Sequence, residues 1–257
     1  MSKKIFVANW KMNLTAAETI DLTEKLSQGL RSFANEETEI VLCPAFTALD
    51  ELSGLLKKEN PANLKIGAQD VFWEEKGAFT GEVSVRMLKE VDCRYVIVGH
   101  SERRKNLGET DEMVNKKVKI LLKNDFTPIV CVGETFEERQ KGIRDVVVAR
   151  EVEAALRDVE LFGNKKIIIA YEPVWVIGTG QAVEPEDAEH SHRMIRETLL
   201  ENFSPDIVEK HFEIIYGGSV DSKNIGDFME KENIDGVLVG GASLKVEEFV
   251  KMIKEIA

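Results

Sequence analysis

Apolar residues along the chain fall into two alternating rhythms. Short, nearly continuous runs occur at 5–9 (IFVAN), 39–43 (EIVLC), 64–69 (LKIGAQ), 94–99 (RYVIVG), 126–132 (FTPIVCV), 166–170 (KIIIA), 212–216 (FEIIY) and 236–240 (GVLVG). Between them, apolar residues return every three or four positions. An uninterrupted run predicts a strand buried on both faces, and the 3.6-residue rhythm predicts an amphipathic helix. Thr15-Ala16-Ala17-Glu18 has the capping-box spacing and precedes Ile20, Leu22, Leu26 and Leu30. Pro185 suits the first turn of a helix through Arg193 and Arg196, while Asn115 to Leu122 and Val146 to Leu156 repeat the helical period.

Strand followed by helix, eight times over, predicts parallel neighbours joined by helical crossovers. A chain of 257 residues matches one α/β domain over 1–257, a single-domain (β/α)8 barrel of eight parallel strands with outer helices. No Pro-, Gly- or Ser-rich linker divides it. A doubly wound open sheet is the alternative, but no G-x-G-x-x-G comes after the first run.

A barrel carries its chemistry at the carboxyl ends of its strands, so the residues just beyond each run matter most. After the first run come Asn9, Trp10 and Lys11, with Asn9 and Lys11 on one side if the chain stays extended. His100, Ser101 and Glu102 come after the fourth, and Glu172 after the sixth. Gly217, Gly218 and Ser219 come after the seventh; Gly240, Gly241, Ala242 and Ser243 end the eighth. Taken singly, each has a plainer role, as a solvated cation, a strand-end histidine or a tight turn. Their joint placement on one rim points to a site.

Composition narrows the ligand. A formal net charge of −12 lacks the basic footprint of a nucleic-acid binder. It also requires local groups to hold any anion against the field of the whole protein. Cys43, Cys93 and Cys131 lie in or beside apolar runs without C-x-x-C spacing, which predicts reduced, at least partly buried thiols rather than disulfides or metal ligands. No His cluster has metal-ligand spacing. The N-terminal apolar run is too short for a signal peptide and no run approaches a membrane span, so a cytoplasmic protein without membrane contact is expected.

Bare glycines at 217–218 and 240–241 let backbone N–H groups approach a phosphate closely. Pro173 keeps Glu172 extended at its strand end, as a candidate base. His100 heads a short helix start, where the positive helix end favours a neutral imidazole donor. With Lys11 as a fixed cation, this set suits proton abstraction beside a carbonyl. It does not suit acyl transfer, which needs a nucleophile paired to a base.

NWKMN (9–13), GAFTGE (77–82), YVIVGHSERR (95–104), CVGE (131–134), YEPVWVIGTG (171–180), YGGSV (216–220) and DGVLVGGASL (235–244) run in order along nearly the whole chain. Together they resemble the triosephosphate isomerase family. The resemblance implies interconversion of dihydroxyacetone phosphate and glyceraldehyde 3-phosphate with no cofactor and no metal. Glu172 would be the base and His100 the neutral electrophile; Asn9 and Lys11 would contact substrate, and Gly178, Ser219, Gly240 and Gly241 its phosphate. Ser101, Glu102 and Cys131 would support these groups from behind. A homodimer is implied, with Phe79 and Thr80 reaching the Asn9–Lys11 loop of a second copy.

The apolar stretch after Glu172 then has a purpose: residues 173–183 would close as a lid, with Trp175 and Ile177 packed inward and Gly178 on the phosphate. Two positions depart from the family pattern, which usually has alanine at Val176 and often Phe-Gly-Glu at Leu107-Gly108-Glu109. Two other readings are a phosphosugar epimerase or aldolase and a non-catalytic phosphate-binding barrel. A Schiff-base aldolase needs a late-barrel lysine, whereas Lys245 lies beyond the eighth run and Lys165–Lys166 before the sixth. The full set Asn9, Lys11, His100 and Glu172 counts against a non-catalytic barrel.

Overall fold

The structure, a computed structural model, describes residues 3–31, 38–60, 62–176 and 182–256. Its eight strands are β1 (Lys4–Asn9), β2 (Thr38–Cys43), β3 (Lys65–Ala68), β4 (Tyr95–Val98), β5 (Thr127–Val132), β6 (Ile167–Tyr171), β7 (Phe212–Tyr216) and β8 (Gly236–Val239). They pair in sequence order, all parallel, and β1 closes on β8 with Ile5 opposite Gly236. The barrel expected from the apolar runs is present, with boundaries shifted by a residue or two.

Alternation along each strand explains why the runs are continuous. Ile129 and Cys131 of β5 point into the barrel with Ile5, Val7, Val41, Ile97, Ile168 and Leu238. Val130 and Val132 point outward, into the layer shared with the helices. Both faces of the sheet are therefore dry, and no polar alternation survives.

Helix Ala16–Leu30 begins at Thr15 with both halves of the capping box made, and buries Leu22, Leu26 and Leu30 on one face. Each leucine contributes about 1.5–3 kcal/mol by leaving water. Helix Pro185–Asn202 starts on its proline, and helices Asp111–Lys123 and Arg144–Leu156 contain the periodic stretches and begin slightly earlier. Shorter helices such as Val85–Glu90, Phe136–Gln140 and Pro205–His211 are too brief for periodicity to show in the sequence. Cys43, Cys93 and Cys131 are all buried and free, as expected. Among the described residues no helix is long and apolar enough to cross a membrane.

Candidate active site

The carboxyl ends of the strands surround a cavity of about 550 Å³ lined by Asn9, Lys11, His100, Glu172, Ser219, Gly240 and Gly241, among others. Seven of the eight candidate catalytic and substrate-binding residues thus share one space. The eighth, Gly178, lies outside the described residues, as do 177–181 of the expected lid.

The chain does not stay extended at Lys11. Its φ of 51° turns the backbone into the left-handed region, which costs a non-glycine residue energy. Side chains secure the turn: Asn9 Oδ1 accepts the Lys11 N–H at 3.1 Å, and Gln69 Nε2 donates to the Lys11 and Cys43 carbonyls at 2.8 and 2.9 Å. Lys11 Nζ then lies 2.6 Å from Glu102 Oε1. Gln69 was not singled out in the sequence, although it is the polar residue that ends the third apolar run.

Glu172 and His100 form the buried heart of the site, at 2% and 5% exposure, with Oε1 and Nε2 3.0 Å apart. Glu172 Oε2 accepts the Ser101 N–H at 3.0 Å, and His100 Nδ1 accepts the Glu102 N–H at 3.2 Å. His100 is thus the N-cap of helix Ser101–Leu107. Burial raises the Glu172 carboxyl, but His100, the Ser101 N–H and Lys11 outweigh it and hold Glu172 below the usual carboxylate range. For His100, burial opposes the cation, yet the Glu172 carboxylate prevails and raises its affinity for a proton. That direction runs against the neutral imidazole expected from the helix start alone. The Glu102 N–H at Nδ1 acts the other way, since a nitrogen that accepts an N–H carries no proton of its own. Cys131 sits in the barrel interior below, where burial and then Glu172 push its thiol well up.

Two further groups of charges hold these elements. Lys117 lies 2.7 Å from Asp70 and 3.2 Å from Glu109, and Arg103 joins both carboxylates. Glu109 also accepts the Gly99 N–H, one residue before His100, at 2.9 Å. Here Gly108, at φ 68°, ends the helix in the left-handed conformation, and Leu107 stands exposed in solvent. On the other flank, fully buried Glu134 accepts from Tyr171 Oη at 3.0 Å and Trp175 Nε1 at 3.0 Å. Val176 is buried, and Ser219 Oγ donates to its carbonyl at 3.2 Å.

At the far end the lining includes Gly240 and Gly241. A Cβ on Gly241 would meet nothing within 4 Å, and one on Gly240 would make only ordinary contact with Lys11 Cε at 3.6 Å. Crowding does not demand glycine at either position; bareness leaves room on the cavity side instead. Phe79 and Thr80 lie elsewhere, on the exposed Gly77–Glu82 loop, with Phe79 packed on Phe72 at 4.5 Å between ring centroids. No group of three or more His, Cys, Asp or Glu among the described residues is arranged to hold a metal ion.

A polar mouth at the strand ends of a closed barrel defines a (β/α)8-barrel enzyme, not an open nucleotide-binding sheet. The family model for Triosephosphate isomerase matches residues 4–256. Relatives named triosephosphate isomerase include those of Endomicrobium trichonymphae, 46% identical over 99% of both chains, and Dictyoglomus thermophilum, 46% identical over 99% of this chain and 100% of that one. That of Caldanaerobacter subterraneus subsp. tengcongensis is 46% identical over 98% and 99%. The chain belongs to the triosephosphate isomerase family, and is an isomerase.

Proposed function

We propose that the cavity interconverts dihydroxyacetone phosphate and D-glyceraldehyde 3-phosphate through an enediolate, with Glu172 as the base. Glu172 takes a proton from C1 while the C2 carbonyl oxygen gains charge; a proton then passes from the C1 oxygen to the C2 oxygen, and Glu172 returns its proton to C2, leaving C1 as the aldehyde. His100 donates from Nε2 to that oxygen, and Lys11 and Asn9 supply charge and a further donor. A positioned base contributes ~10²–10⁴ in rate and each aimed donor ~10²–10³. The observation that carries this reading is the 3.0 Å approach of His100 and Glu172 in a cavity shared with Lys11.

The proton balance on His100 is consistent with a neutral donor. Its raised proton affinity comes from the Glu172 carboxylate, and that cause disappears once Glu172 carries the substrate's proton. The Glu102 N–H at Nδ1 keeps the remaining proton on Nε2. Ser101 holds Glu172, Glu102 holds Lys11 and His100, and Cys131 floors the pair.

Ser219, Gly240 and Gly241 receive the phosphate through backbone groups, joined by Gly178 when residues 173–183 close. Closure matters because an enediolate beside a phosphate eliminates it unless water is excluded and the group is held in plane. The protein acts as a homodimer, with Phe79 and Thr80 against the Asn9–Lys11 loop of a second copy. Exposed Met12 and Phe79 support this, as apolar surface that solvent does not favour.

A coupled assay with glyceraldehyde 3-phosphate in the presence of chelator tests the reaction, and no turnover there overturns it. Glu172→Gln removes nearly all rate while retaining a phosphate-bearing analogue; an active variant overturns the mechanism. Sedimentation of a Phe79→Asp, Thr80→Glu double variant gives monomer, and an unchanged dimer refutes the contact.

A further inference from the structure

One buried carboxylate touches neither the cavity nor its lining, yet reaches the supports of both reacting side chains. Glu151 lies on helix Arg144–Leu156, behind the sheet, at 7% exposure. Its Oε2 accepts the Gly133 N–H at 2.9 Å. Gly133 comes directly after β5, and its two neighbours carry the backbone of Glu172: the Val132 carbonyl accepts the Glu172 N–H at 2.8 Å, and the Glu134 carbonyl accepts the Val174 N–H at 3.1 Å. The contact is close enough that a Cβ on Gly133 would lie 1.8 Å from the Glu172 carbonyl oxygen. Any shift of Gly133 is therefore transmitted to Glu172 without slack.

The same carboxylate faces Arg104. That guanidinium donates from Nε to the Gly99 carbonyl at 2.7 Å, next to His100, and from Nη1 to Asp111 at 2.5 Å. Burial opposes the Arg104 charge, and Glu151 is the strongest influence sustaining it. Among the described residues, Arg104 Nη2 is buried with no hydrogen-bond acceptor, so electrostatic compensation from Glu151 carries more weight there. The groups facing Glu151 are Arg104 from helix Ser101–Leu107, Asp111 from the next helix, Arg150 from its own helix, and the Gly133 N–H.

We propose that Glu151 is a positioning residue: one buried carboxyl group that holds Gly133 behind Glu172 by a hydrogen bond and steadies Arg104 behind His100 electrostatically, and thereby sets the distance between base and electrophile. A displacement of about 1 Å in such a pair costs on the order of 100-fold in rate, so the brace acts on turnover rather than on substrate affinity.

The inference rests on Glu172 and His100 being the reacting pair, and the two ideas fail differently. An active Glu172→Gln variant removes the pair itself; Glu151 variants with parental turnover leave the pair standing and remove only the brace. Glu151→Gln keeps an oxygen for Gly133 but turns an amide toward Arg104, and kcat is expected to fall about 10-fold with KM within twofold. Glu151→Ala removes both supports and should lose about 100-fold. The diagnostic readout is binding: 2-phosphoglycolate, a mimic of the enediolate, should weaken in step with kcat while inorganic phosphate keeps its affinity. A merely structural role would weaken both or neither. Parental kcat in folded Glu151→Gln, or equal loss of both ligands, overturns the proposal. If Glu151→Ala does not fold, Glu151→Gln and Glu151→Asp decide the matter, since both preserve most of the volume.

Discussion

At one end of the cavity, Glu172 and His100 are buried side chains, each held by a backbone N–H from helix Ser101–Leu107 and by each other. At the other end, Gly240 and Gly241 present backbone into open space, and nothing crowds the position a side chain would take. In the proposed function the first end would draw its chemistry from groups whose placement other residues enforce, and the second from the removal of side chains. Disturbing the first should change the rate of the chemical step. Disturbing the second should change how well the phosphate is held.

The largest effect expected on this contrast is Glu172→Gln, with kcat down about 10³-fold and phosphate affinity kept. Loss of phosphate binding would show that the two ends are not separable. Gly133→Ala comes next. Its Cβ has no room beside the Glu172 carbonyl, so kcat should drop about 10²-fold with a stability loss of about 1–3 kcal/mol. Turnover within threefold of the parent would mean that the close approach is not felt at the carboxylate.

Gly241→Ala probes the opposite end. The methyl fits without clash inside the protein, so thermal stability should hold; if phosphate binds here as proposed, the methyl enters its space and KM rises about 10-fold at nearly constant kcat. A fall in kcat alone would contradict that division. The smallest effect concerns stability against pH. Burial pushes Glu151 up to about 7 from 4.5, so the unfolded chain releases its proton first. Stability from this group is complete below about 4.5 and is lost as pH rises through about 7, by roughly 3 kcal/mol. Urea titrations of Glu151→Gln should lack that slope, and an unchanged slope would place the titration elsewhere.

The barrel was readable because its strands are dry on both faces and therefore unbroken in the sequence; β6 is buried at every position. That Asn9, Lys11, His100, Glu172 and the glycine turns line one cavity was readable because a barrel gathers its strand ends on one rim. Gln69, Glu134 and Glu151 were not singled out. Each acts through a contact fixed by packing, such as Glu151 with Gly133 across a helix–strand crossing, and a carboxylate on a helix looks the same whether buried or solvated. The left-handed turn at Lys11 was hidden for a related reason: its lysine gives no local sign of the Gln69 and Asn9 bonds that hold it. The neutral His100 expected from its helix start met an opposing carboxylate that only proximity reveals.

The three thiols give the molecule a built-in clock. Cys43, Cys93 and Cys131 are all buried, and burial raises each pKa, to about 12 for Cys93. An alkylating reagent in excess therefore finds no ready thiolate while the barrel is shut. Mass added per chain over time would count opening events, with Cys43 and Cys131 reporting the barrel interior and Cys93 the layer outside it.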